Sequence, residues 1–183
     1  MIGFLGGPRR YPSPIYGVFR ELRMRDQLDI AMLHRTGTSS RQERHSVDFV
    51  INGNSLFLAT NAGQLDMCGC FSPDFFTSEN ELARKENARI AKIFTFELPA
   101  DIAPDRVAVF VCPECGDLGC GAITFQLSRD GDTVRWANFA YENGYDQPQS
   151  EEYSAIGPFE FQFRAYLAVI RRASSPAPMS VRP

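Results

Sequence analysis

The sequence predicts an α+β fold: a mostly antiparallel sheet with a three-stranded C-terminal meander and a closing C-terminal helix. Three observations carry this. Asn52-Gly53 sits between two apolar runs, SVDFVI and SLFLAT, and is the strongest hairpin signal in the chain. Residues 106–141 hold three strand-like runs, RVAVFV, AITFQLS and TVRWANFAYE, with no helical segment between them. A parallel doubly wound sheet would need such segments. Finally, Phe163, Tyr166, Leu167 and Ile170 recur at helical spacing, and Arg171-Arg172 follow where cations oppose the helix dipole.

Taken in order, residues 1–15 are rich in Gly and Pro and read as an extended arm. Residues 16–33 fit neither period cleanly and read as a helix or a mixed segment. A polar loop spans 35–43, and the hairpin strands are expected at 46–51 and 55–60. Residues 61–77 look irregular. Ser78 with Glu81 fits a capping box, opening a short polar helix over 79–89. IAKIFTFEL, 90–98, alternates as a strand would, and 99–105 is a turn-rich connection. RVAVFV, apolar on both faces, is expected as a central strand. The phase of TVRWANFAYE slips midway, which predicts a bulge near Ala137 or Asn138. Residues 142–158 form a long acidic loop. The expected organisation is a single α+β domain over 1–172 and a disordered tail over 173–183.

The chain has 183 residues, a net charge of −3 and 15 Phe, so a core filled with flat rings is expected. The acidic balance argues against a nucleic-acid partner, which needs a basic face. No apolar run approaches the roughly 18 residues that span a bilayer, so no membrane association is expected. The N-terminus lacks a basic segment and a sustained apolar run, so it does not read as a signal peptide. A cytoplasmic location follows as the expectation, and the odd number of cysteines, 5, fits poorly with a disulfide framework.

Three of those cysteines lie in VCPECGDLGCG. Cys112-Pro113-Glu114-Cys115-Gly116 has the form of a zinc knuckle: two thiolates two residues apart turn to one point, Pro stiffens the turn, and Gly lets backbone amides face sulfur. Cys120 offers a third ligand. Cys68 or Cys70 could give the fourth, and the set expected for a structural Zn²⁺ is Cys112, Cys115, Cys120 and Cys70. Two other readings stay open, namely free half-buried thiols and redox chemistry. Redox is the weaker of the two, because the Gly-rich continuation shows no helix to activate the first thiol.

Elsewhere, His34 and His45 stand in no recognised ligand spacing and read as surface or capping residues. Glu114 and Asp117 could be paired for acid–base work, but solvating an exposed loop is the simpler role. No nucleophile elbow, Walker motif or dinucleotide fingerprint occurs. Charge is lopsided: Asp130, Asp132, Glu142, Asp146, Glu151, Glu152 and Glu160 stand against Arg135, whereas eight arginines lie between Arg9 and Arg44. Tyr141, Tyr145 and Tyr153 interleave with the acids. Ring area anchors and charge steers, so Tyr141, Glu142, Tyr145, Asp146, Glu151, Glu152 and Tyr153 form a candidate partner-binding surface.

VCPECGDLGCGAITFQLSRDGDTVRWANFAYENGYDQP, followed by GPFEFQF and a helix, resembles an uncharacterised family of small bacterial proteins. The similarity covers roughly 106–172, with a looser echo at NGNSLFLA. It implies the fold given above and implies that Cys112, Cys115 and Cys120 belong together; Cys68 and Cys70 fall outside it. In style, though not in motif, the chain is similar to immunity proteins. The expected function is accordingly a non-enzymatic inhibitor of the immunity type, whose acidic, Tyr-bearing surface occludes a protein partner such as a cognate toxin. The alternatives are a thiol- or zinc-dependent oxidoreductase using the cysteine loop, and a module of a larger assembly.

Overall fold

The structure, a computed structural model, describes residues 25–73, 81–102 and 105–175. The arm over 1–15 and the capping residue Ser78 lie outside them, as does most of the expected tail. Strand β1 (Leu28–Arg35) pairs antiparallel with β2 (Arg44–Ile51), from Leu28 opposite Ile51 to Arg35 opposite Arg44. The later part of the ambiguous 16–33 segment is therefore strand. Its half-buried Leu28, Ile30 and Met32 alternate with exposed Asp29 and Ala31.

β2 turns at Asn52-Gly53, both at positive φ, into β3 (Asn54–Ser55), as the sequence predicts. The expected strand over 55–60 stops there. A short helix, α1 (Leu56–Ala59), replaces it, because Ser55 Oγ accepts from Leu58 N at 3.0 Å and buried Asp48 accepts from Phe57 N at 2.9 Å. Two caps on one turn override the strand propensity of so short a run.

The larger sheet has the order β4-β5-β6-β7-β8, antiparallel throughout. Its strands are β4 (Cys68–Gly69), β5 (Arg106–Val111), β6 (Ala122–Asp130), β7 (Thr133–Glu142) and β8 (Phe159–Gln162). The expected meander is its middle three strands. The bulge falls where the phase slip put it: Thr124 faces Ala140 and Gln126 faces Ala137, and Asn138 takes the extra step at φ 52°. β8 was not expected, since its FEFQ runs directly into the apolar face of the C-terminal helix.

Helix α2 (Glu81–Phe94) overruns the predicted 79–89 and replaces the strand expected over 90–98. Ile90, Ile93 and Phe94 continue the face begun by Ala83 and Asn87, so once the helix is nucleated the same residues bury better as helix. It ends in a Schellman closure with Phe96 at positive φ: Glu97 N bonds Lys92 O at 2.8 Å and Phe96 N bonds Ile93 O at 3.0 Å. Helix α3 (Phe163–Ser174) is capped by Gln162, whose side chain accepts from Ala165 N at 2.7 Å.

The core is aromatic, as the composition predicts. Trp136 is fully buried, with the rings of Phe125, Phe49 and Phe161 at 4.4, 5.0 and 5.3 Å. α2 joins α3 through Tyr166, whose hydroxyl donates to Phe94 O at 3.1 Å. The two sheets meet where Val47 N bonds Phe71 O at 2.8 Å and Gly69 passes β2 so closely that a Cβ there would stand 1.9 Å from Val47 O. Among the described residues, no helix is long and apolar enough to cross a membrane.

Candidate metal centre

Cys112 stands at the end of β5, and the chain turns at once: Gly116 N bonds Cys112 O at 2.9 Å and Gly116 takes φ 68°. Asp117 then caps a single 3₁₀ turn, Leu118–Cys120, accepting from Gly119 N at 2.6 Å. Gly121, at φ 97°, returns the chain to β6 beneath the ring of Tyr141, where a Cβ would meet Tyr141 Oη at 2.4 Å. The loop therefore folds Cys115 and Cys120 back onto Cys112. The three Sγ atoms lie within 4.8 Å of one another, with Cys115 and Cys120 3.4 Å apart. Around a tetrahedral Zn²⁺ with bonds of ~2.3 Å, sulfurs stand about 3.8 Å apart, so the three donors fit that ion after shifts of up to about an ångström. Asp117 N donates to Cys115 Sγ at 3.4 Å, the amide-to-sulfur contact expected of a knuckle.

Two arginines from β1 and β2 pin the loop. Buried Arg44 donates from Nε to Pro113 O at 2.8 Å. Arg35 bridges Glu114 at 2.9 Å and Asp66 at 2.8 Å, and its guanidinium holds the Asp66 carboxyl below the usual range. Glu114 and Asp117 are thus occupied as an anchor and a cap, roles more specific than the solvation of an exposed loop expected from the sequence.

The thiols divide by environment. Burial works to raise Cys112, but the amides of Glu114 and Cys115 and the thiols of Cys115 and Cys120 bond its sulfur, and the net shift is downward. Cys120, beside Cys115 and Cys112, is pushed up to about 11. Cys68 is pushed up to about 12 by burial, against the pull of Arg44. Cys70 is raised further, again by burial.

The structure thus brings together Cys112, Cys115 and Cys120 but not Cys70. That residue packs in the core with Val47, Phe71 and Phe94, and its amide bonds Val109 O at 2.9 Å. Cys68, opposite Val111 on β4, is also outside the cluster. The cause is the sheet: once β4 pairs with β5, both residues are fixed in the packed interior.

The acidic surface is also redrawn. Glu142 is 8% exposed and forms a buried ion pair with Arg106, while Thr124 Oγ1 bonds both, to Glu142 at 2.5 Å and from Arg106 Nη2 at 2.7 Å. Tyr153 is 6% exposed and Tyr141 half-buried. Tyr145, Asp146, Glu151 and Glu152 remain on the surface. Tyr145, 84% exposed, reaches over the cysteine loop, its hydroxyl 3.1 Å from where a Gly119 Cβ would be. The acidic loop and the sulfur loop therefore form one continuous surface.

A cleft of about 130 Å³ borders Cys115 and Gly116, with Ile90 and Val107 below and Arg89 and Asp101 at its side. Arg89 is shared between Glu86 at 2.6 Å and Asp101 at 3.0 Å.

Sequence reasoning overlooked one cluster. His34 and His45 face each other across β1 and β2 with their rings stacked, 4.7 Å between centroids and 11° between planes. Glu43 Oε1 lies 2.7 Å from His34 Nε2. The signal was available only to someone who already knew the hairpin register.

The fold and site define an α+β chain with a three-cysteine loop at the corner of an antiparallel sheet. No protein-family model, curated protein or solved structure matches it, so the resemblance drawn from 106–172 rests on its residues alone.

Proposed function

We propose that this is a zinc-thiolate protein in which Cys112, Cys115 and Cys120 hold Zn²⁺ and the fourth position stays open to solvent. The observation that supports it best is the convergence of three sulfurs from one amide-lined loop. Three protein ligands with an exchangeable fourth position is the pattern of reactive rather than closed structural zinc. When bound, the ion would supply Lewis acidity and lower the pKa of water beside the small cleft at Cys115. This favours a zinc- or thiol-dependent reaction on a small substrate over purely structural sulfur. On this reading the sulfurs stay reduced, which suits a reducing compartment such as the cytoplasm. The test is Co²⁺ titration of the reduced protein: thiolate-to-cobalt charge-transfer absorption is expected, and its absence would remove the proposal.

A second reading is favoured by the exposure of Tyr145, Asp146, Glu151 and Glu152. This patch suits docking of a basic protein partner, in the manner of an immunity-type inhibitor. Affinity capture at low salt, with Tyr145→Ala as control, tests it. A bound partner lost in the variant supports docking, and no partner at all argues for the zinc reading alone.

A further inference from the structure

We propose that His34, Glu43 and His45 form a second metal site, for a borderline divalent ion such as Ni²⁺ or Zn²⁺, separate from the cysteine loop and independent of the zinc-thiolate reading. The chain has 2 histidines, and both arrive at one register position on adjacent strands. Glu43, the residue before β2, closes on them from the 36–43 loop. One donor atom from each of the three lies within 4.8 Å of the others. Around a tetrahedral ion with bonds of ~2.0–2.2 Å, imidazole nitrogens and a carboxylate oxygen stand about 3.3–3.5 Å apart. The His34–Glu43 contact is a hydrogen bond at 2.7 Å, and the stacked rings hold their lone pairs nearly parallel, so binding opens that bond and turns the His34 ring toward His45. His34 and Glu43 are half-exposed, with side-chain exposures of 49% and 59%, and can turn without disturbing the core.

Two further points favour a metal site. Imidazole with carboxylate selects Ni²⁺, Cu²⁺, Zn²⁺ or Fe²⁺, whereas three thiolates select softer coordination, so one chain would carry two sites of different preference. The location is also rigid on one side. Arg35 and Arg44, the next register pair, point to the opposite strand face and are locked by Asp66, Glu114 and Pro113. The three ligands leave coordination positions for water or a small anionic ligand.

The experiment is a titration of the full-length protein, its thiols first filled with Zn²⁺, with Ni²⁺ followed by NMR of the histidine rings and by calorimetry. The ring resonances of His34 and His45 are expected to broaden together at the same Ni²⁺ concentration. His34→Asn and Glu43→Gln are surface changes. His34→Asn should weaken Ni²⁺ binding by more than about tenfold, because even outer-shell partners contribute 10–100-fold. Thermal melting without metal should be unchanged in both variants. Broadening of one ring alone, or equal Ni²⁺ affinity in wild type and His34→Asn, would overturn the site.

Discussion

Two cysteine environments lie close together in this molecule and differ in exposure and in what surrounds the sulfur. Cys112, Cys115 and Cys120 ride on a Gly-bracketed loop, reach solvent and point at one another. Cys68, in the adjoining strand β4, and Cys70, just after it, are buried and have their thiols pushed up. The difference teaches that sulfur chemistry here is set by backbone path. A turn between strands collects donors, whereas a paired strand fixes them in the packed interior.

The largest effect should come from the buried Arg106–Glu142 pair. Glu142→Ala leaves Arg106 charged and unpaired between β5 and β7, and should cost about 3–5 kcal/mol in urea denaturation. Both sulfur environments share that sheet, so both should loosen together. Next, Cys115→Ser should reduce the thiolate charge transfer of the Co²⁺ form and weaken Zn²⁺ binding beyond about 100-fold, more than the loss of a group that only bonds a ligand would. Cys70→Ala should leave metal affinity intact and cost on the order of 1 kcal/mol in stability. Equal metal affinity in Cys115→Ser and Cys70→Ala would dissolve the distinction. Third, iodoacetamide followed by mass spectrometry should modify Cys112, Cys115 and Cys120 in the metal-free native protein, and Cys68 and Cys70 only after unfolding.

The smallest effect concerns pH. The Arg35 guanidinium lowers the folded pKa of Asp66 below its unfolded value. Its contribution is therefore complete above the unfolded value of about 3.9 and is lost as pH falls through the lower folded value. Asp66 is 41% exposed, so solvent screening keeps the contribution under about 1 kcal/mol. Asp66→Asn should lower the urea midpoint slightly at pH 6, and the gap should close toward pH 3. A gap that persists unchanged at pH 3 would show that Arg35 does not act through the carboxylate charge.

Legibility followed locality. The Asn52-Gly53 turn, the bulge at Asn138 and the sulfur loop are decided by neighbours in sequence, and each could be read there. IAKIFTF was misread because its apolar residues satisfy both periods, and only the preceding turns of α2 choose between them. Glu142 looked like one more acid of a solvated loop; its partner Arg106 lies 36 residues away. His34 and His45 each looked isolated because their meeting depends on strand register. Cys70 lies in the interior because β4 pairs with β5, a long-range pairing that no local pattern in the sequence marks.

The central claim is that three thiolates of one loop, and no other sulfur, hold a zinc ion. X-ray absorption at the zinc edge, on full-length protein purified without chelator, tests it most directly. In the His34→Asn variant, where the imidazole site is weakened, the result expected is one zinc per chain with three sulfur neighbours and one lighter atom. Four sulfurs, or a folded protein with no zinc and no capacity to take it up, would contradict it.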